Sequence, residues 1–122
     1  MQSAETIRIP LDTENFSVTV DVSLKSMEPN KISLECEEGT LRIVPNWTGF
    51  HAFLVSNGET LPVRMNEGMF ELLDTLFFGQ KLEGVSEFLY GYWSASYVVW
   101  HEYMTEPERF FEAFMGVDSV GT

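Results

Sequence analysis

Hydrophobic and polar residues alternate along much of the first half of the chain, and this alternation predicts β-strands. In Phe16–Leu24 every second residue is apolar, from Phe16 through Val20 to Leu24, and the residues between them are polar. A period of two places alternate side chains on opposite faces of a strand. The same pattern recurs in Ile32–Cys36. We therefore predict strands that have one buried and one solvated face.

Turn-forming residues separate these strands and indicate antiparallel hairpins. Pro29 and Asn30 form the first turn signal and Glu38-Gly39 the second, while Asn57-Gly58 is the strongest hairpin signal in the chain. Further strands are predicted at about 41–45, 50–56 and 61–65. Proline cannot donate to a strand ladder, so Pro62 predicts that the last of these strands lies at a sheet edge.

The hydrophobic period changes at Asn66 and predicts a helix over about 66–79. Asn66 is a favourable N-cap residue. The apolar residues that follow have helical spacing: Met69, Leu72, Leu73, Leu76 and Phe77. Either Gly79 or Gly84 ends this helix.

Residues 86–104 are dense in aromatic and β-branched residues, and two interpretations compete. Their composition favours a strand, either one long strand or a pair bent near 91–96. A helix is the alternative, because Leu89, Trp93, Tyr97 and His101 follow one another at intervals of four. We expect a strand here.

A second, short helix is predicted at the C-terminus, over about 106–115. Thr105-Glu106-Pro107-Glu108 fits a capping box with proline in the first turn. The apolar face of this helix would consist of Phe110, Phe111, Phe114 and Met115. The predicted fold is one α+β domain over 1–122, with an antiparallel sheet of about five to seven strands, one longer helix (about 66–79) and the C-terminal helix.

The chain is strongly acidic, yet it is too rich in core-forming residues to be disordered. It carries 19 Asp and Glu against 7 Lys and Arg, a formal charge of −12, together with 10 Phe, 4 Tyr and 3 Trp. Residues 66–122 hold ten acidic and two basic side chains, so most of the excess lies in the second half. A folded body with this charge repels nucleic acid and anionic membranes and attracts basic surfaces. We expect a basic protein partner, and no direct nucleic-acid or membrane binding.

No motif in the sequence identifies a reaction. His51 and His101 are the only histidines, and on a strand His101 and Glu102 would point to opposite faces. Cys36 is the single cysteine; it falls on an apolar strand face and is expected to be buried and structural, so no internal disulfide is possible. The spacings typical of metal sites and phosphate-binding loops are missing from the sequence. We predict no catalytic residues, no metal and no cofactor.

These observations favour a non-enzymatic acidic inhibitor that neutralises a basic, nucleic-acid-acting partner protein. An immunity protein and an anti-defence inhibitor that mimics DNA would both bind such a partner by the same physical mechanism. Carboxylates that surround exposed aromatic anchors suit such an interface, because charge raises the association rate and aromatics supply affinity. The candidate contact residues are Glu67, Glu71, Asp74, Trp93, Trp100, Glu106, Glu108 and Glu112.

Two other classes stay open at this point. One is a small-ligand-binding or enzymatic barrel-like domain with an aromatic pocket, and the other is a structural subunit of a larger assembly. Met1-Gln2-Ser3-Ala4-Glu5 lacks the basic start and apolar run of a signal peptide, so we expect a cytoplasmic protein. The oligomeric state is open.

Overall fold

The computed structural model describes residues 5–46, 49–79 and 82–108, which form one six-stranded antiparallel sheet and two helices. The strand order in the sheet is the order in the chain, so every neighbouring pair is a hairpin. The elements are β1 (Thr6–Asp12), β2 (Ser17–Ser26), β3 (Ile32–Cys36), β4 (Gly39–Asn46), β5 (Gly49–Ser56), β6 (Glu59–Val63), α1 (Glu67–Phe77) and α2 (Glu87–Thr105). The predicted α+β class and the predicted number of strands are confirmed.

The strand register follows the hydrophobic alternation. In the β1–β2 ladder Ile9 lies opposite Val20 and Ile7 opposite Val22, and Ile9, Val20 and Val22 are buried. A shift by one residue would turn these side chains to solvent, which is why the apolar pattern fixes the pairing. At the β5–β6 hairpin Asn57 has φ 51° and Gly58 has φ 79°, the positive angles that a tight turn of this kind requires.

The sheet curls until its first and last strands meet. Thr13 and Val63 form an isolated antiparallel bridge, and the backbone N–H of Arg64 donates to the carbonyl of Asp12 at 2.8 Å. β6 is otherwise the edge strand, as Pro62 predicted. The curled sheet therefore has an inner face that the core side chains fill.

The predicted helix after Asn66 is confirmed as α1. The side-chain oxygen of Asn66 accepts a hydrogen bond from the Met69 N–H at 2.9 Å, which caps the helix, and its amide donates to the carbonyl of Pro10 at 3.2 Å. At Gly68 a Cβ atom would lie 2.6 Å from Cδ of Pro10. The cap and this close approach place α1 directly against β1.

The strand predicted for residues 86–104 is wrong, because this segment is the helix α2. Ser86 caps it by accepting a hydrogen bond from the Leu89 N–H at 3.3 Å. The aromatic and β-branched residues that favour a strand are weak helix formers, but tertiary packing overrides this preference. The longer of the two helices is consequently α2, with 19 residues, and not α1, with 11.

The connection between the helices is attached to the end of β2. The N–H of Ser26 donates to the carbonyl of Glu83 at 2.7 Å, and the N–H of Ser86 donates to the carbonyl of Pro29 at 2.8 Å. A C-terminal helix is predicted over 106–115, and the part of it beyond Glu108 lies outside the described residues.

Candidate functional site

The inner side of α2 belongs to the core. Trp93 and Trp100 are each 8% exposed, and Tyr97 is completely buried. The Tyr97 ring lies 5.3 Å from the ring of Phe50 on β5 and 5.1 Å from that of Phe77 on α1. This side of α2 therefore joins the sheet to α1 and offers little surface to another molecule.

The opposite side of α2 carries a row of exposed apolar residues, which we call the outer α2 face: Phe88, Tyr92, Ala95 and Val99. They follow one another at intervals of four, three and four, so they share one side of the helix. Phe88 is 81% exposed, Tyr92 59% and Val99 50%. Single exposed apolar side chains are ordinary, but a continuous row is typical of an interaction site.

The two helices also carry negative charge and no positive charge. Neither α1 nor α2 contains Lys or Arg, whereas they contain Glu67, Glu71, Asp74, Glu87 and Glu102. The basic residues that the structure describes all lie in the sheet and its flanking segments, as with Arg8, whose Nε is 2.9 Å from Asp21. The described helices therefore carry only acidic charge, and we call them together the anionic layer.

The structure places the predicted contact residues in three environments. Glu67 and Glu71 are exposed on α1, and Glu106 and Glu108 are exposed at and after the end of α2. Trp93 and Trp100 are buried, so they leave a partner almost no area to bind. Glu112 lies outside the described residues.

Asp74 joins the two helices. The hydroxyl of the buried Tyr97 donates a hydrogen bond to Oδ1 of Asp74, and Nε2 of His101 lies 3.6 Å from the same oxygen. Burial raises the pKa of Tyr97 well above its ordinary value, and the hydrogen bond to Asp74 and its negative charge raise this pKa further. Asp74 thus has a structural role that its place among the surface carboxylates of the sequence did not indicate.

His101 faces Asp74 and the ring of Phe78, which it meets edge to face at a centroid distance of 5.2 Å. The carboxylate next to His101 in the sequence is Glu102, which on the predicted strand would point to the opposite face. The four-residue interval from Tyr97 to His101, which supported the helical alternative, brings both side chains towards α1. The other histidine, His51, is exposed on β5.

Cys36 is buried, as predicted. Its Sγ–H donates to the carbonyl of Gly39 at 3.4 Å, and burial raises the pKa of the thiol. A thiol with a raised pKa carries little thiolate at neutral pH, so this cysteine is a poor nucleophile.

Among the residues that the structure describes, His, Cys, Asp and Glu nowhere form a group of three that could hold a metal ion. Within the same ranges, neither helix has both the length and the apolar character needed to cross a membrane. Comparisons with protein-family models, curated proteins and solved structures find no match.

Proposed function

We propose that the protein is a non-enzymatic inhibitor that binds a basic, nucleic-acid-acting protein through the outer α2 face. The observation that carries the proposal is the exposed apolar row Phe88, Tyr92, Ala95 and Val99 on a helix without a basic residue. An immunity protein and an anti-defence inhibitor would both act by this mechanism. The proposal places the protein in the cytoplasm, where such a partner acts on nucleic acid.

The apolar row supplies the anchors of the proposed interface. Interfaces derive most of their affinity from a few aromatic and aliphatic side chains that lose their water on binding. Phe88 and Tyr92 have the exposed area for this role, and Val99 extends the row by two further turns. They replace Trp93 and Trp100, the anchors expected from the sequence.

The acidic side chains of the helical layer define the chemistry of the partner. Glu67 and Glu71 on α1 and Glu108 beyond α2 are exposed. Long-range attraction between opposite charges raises association rates and discriminates against partners of the same sign. A protein whose own ligand is a polyanion presents the complementary basic surface.

The test is displacement of proteins from DNA. DNA-binding proteins of the source cells are bound to DNA-cellulose, and the purified protein is added at low salt. We expect the wild type to release one basic protein, which is then purified so that the affinity of the pair can be measured. The double variant Phe88→Ser/Tyr92→Ser should weaken this affinity at least about a hundredfold. The control Met27→Ser, at an apolar turn residue that is also exposed, should not change it.

Charge reversals provide the second arm of the test. Glu71→Lys/Glu108→Lys should lower the association rate more than Glu14→Lys/Glu37→Lys, which changes the net charge equally at turns of the sheet. If the wild type releases nothing, or Phe88→Ser/Tyr92→Ser binds as well as the wild type, the proposal is wrong. Light scattering that finds a dimer only in the wild type would instead assign the outer α2 face to self-association.

A further inference from the structure

A second candidate binding site lies in the sheet, away from the helices. A cavity of about 400 Å³ opens where the β1–β2, β3–β4 and β5–β6 turns come together at one end of the sheet. Its apolar walls are Phe16, Leu54 and Leu61, and Glu38 and Glu59 lie on its polar side. No residue of α1 or α2 lines it, so it is distinct from the outer α2 face.

The apolar walls of the cavity combine a buried floor with an exposed entrance. Leu54 is 1% exposed and comes from the core, whereas Phe16 is 40% exposed at the β1–β2 turn. The alternation in the sequence assigned Phe16 to the buried face of a strand, but β2 begins only at Ser17. The ring of Phe16 therefore remains available to a bound molecule.

Glu38 has hydrogen-bonding capacity that the protein does not use. Its Oε1 is buried and accepts no hydrogen bond within the described residues. Leaving a buried acceptor unpaired is unfavourable, and more so when the group is charged. Such a group in a cavity wall indicates a ligand that donates to it. Because Oε1 is inaccessible to solvent, a ligand reaches it only after the carboxylate turns towards the cavity, and the broad terminal torsion of a glutamate side chain allows this rotation.

The charge of the cavity defines the ligand further. Its described lining includes two carboxylates, Glu38 and Glu59, and no Lys, Arg or His. An anionic ligand would be repelled, and a neutral one would leave the carboxylates without a counter-charge. A cation with an apolar body satisfies both parts of the lining.

We propose that this cavity binds an alkylammonium group, with its ammonium on Glu38 and Glu59 and its alkyl chain on Phe16 and Leu61, above the buried Leu54. An ammonium group has three donors and can contact both carboxylates at once. The face of the Phe16 ring attracts the same charge. This site does not depend on the proposed function, since it shares no residue with the outer α2 face.

The probe for the test is n-hexylammonium chloride, with n-hexanol and sodium hexanoate as matched neutral and anionic compounds. Binding is followed by isothermal titration and by the chemical shifts of Leu54 and Leu61 methyl groups. We expect the ammonium compound to bind and to shift these methyl signals. Equal binding of hexanol would show an apolar cavity without selectivity for cations, and no binding at millimolar concentration would also overturn the proposal.

Isosteric variants assign the role of each carboxylate. Glu38→Gln should weaken n-hexylammonium binding by about tenfold to a hundredfold. Glu59→Gln should weaken it less, because this residue is exposed. The control Glu37→Gln, at the neighbouring turn position outside the cavity, should not change the binding. Glu38→Gln should also raise the melting temperature of the free protein, since it removes the charge of a half-buried carboxylate that has one unpaired buried oxygen. A Glu38→Gln variant that binds like the wild type would contradict the assignment.

A free amine and a lysine side chain present the same ammonium chemistry. Titration with Nα-acetyl-lysine N-methylamide separates these sources. Tighter binding of n-hexylammonium identifies a free amine as the ligand, and tighter binding of the lysine derivative identifies a lysine of another protein. Both results support the ammonium site, whereas failure of both compounds overturns it without affecting the outer α2 face.

Discussion

Single residues show how side-chain contacts distinguish a structural carboxylate from exposed ones in this acidic chain. Asp74 and Glu71 are neighbours on α1 and appear equivalent in the sequence. Asp74 accepts the hydrogen bond of the buried Tyr97, whereas the Glu71 side chain is exposed. Charge alone therefore does not define an interface, and the contact network distinguishes the two roles.

The Tyr97 hydroxyl should stabilise the fold measurably. Tyr97→Phe keeps the ring in its aromatic cluster but removes the donor to Asp74, so we expect a loss of about 1.5–3 kcal/mol in the free energy of unfolding. Urea denaturation at pH 7 measures this loss. Tyr92→Phe is the control: Tyr92 is 59% exposed, and its hydroxyl should contribute almost nothing. Equal stabilities of the two variants would contradict the role of the hydrogen bond.

The same hydroxyl predicts a pH dependence. The folded protein raises the pKa of Tyr97 above its ordinary value of 10.0, so the folded state retains this proton where the unfolded chain releases it. The stabilisation is complete below pH 10 and decreases by about 1.4 kcal/mol per pH unit above it. The stability difference between the wild type and Tyr97→Phe should therefore narrow between pH 10 and 11. A constant difference across this range would show that the pKa is not raised.

At the scale of elements, α2 shows where amino-acid composition fails to predict secondary structure. Its composition favours a strand, but a strand would place Trp93 and Tyr97 on one face and Trp100 on the other. As a helix it buries all three, and Tyr97 and Trp100 pack against Phe50 of β5 and aromatic rings of α1. The free energy gained from this burial exceeds the small propensity differences between the two states.

Two glycines, one within α2 and one in the connection before it, should respond to alanine substitution with opposite signs. Gly91 lies within α2, and a Cβ atom there would meet no other atom within 4 Å, so Gly91→Ala should stabilise the protein by about 0.5–1 kcal/mol. Gly84 has φ +85°, and a Cβ there would lie 2.2 Å from the carbonyl oxygen of Ser26, so Gly84→Ala should destabilise by about 1–3 kcal/mol. Thermal denaturation gives both values. A destabilising Gly91→Ala would contradict an exposed helical position.

The strands and α1 could be predicted from the sequence because their signals are local. Alternation in 16–24, the Asn57-Gly58 turn and the Asn66 cap each act within a few residues. The outer α2 face and the cavity could not be predicted in this way. The outer α2 face exists only because residues 86–104 form a helix and not a strand. The cavity arises only where three turns that are distant in sequence meet at one end of the curled sheet.

At the scale of the whole molecule, the distribution of charge follows the division into sheet and helices. The sheet contains acidic and basic residues that pair in places, as Arg8 does with Asp21. The helices carry only acidic charges, and so the net charge of −12 is distributed unevenly. An anionic layer with an apolar row suits an interface, but it also destabilises the isolated protein through repulsion among its like charges.

This repulsion predicts that salt stabilises the free protein. The Debye length falls from about 30 Å at 0.01 M to about 10 Å at 0.1 M, so added NaCl screens repulsion between distant carboxylates, while exposed pairs such as Arg8–Asp21 lose little. The melting temperature should therefore rise from about 0.01 to 0.3 M NaCl. Glu14→Lys/Glu37→Lys lowers the magnitude of the net charge from −12 to −8 and should show a smaller rise. A melting temperature that falls with salt would mean that attractive pairs outweigh the repulsion. An equal rise of the melting temperature in the two proteins would mean that net charge does not set the salt dependence.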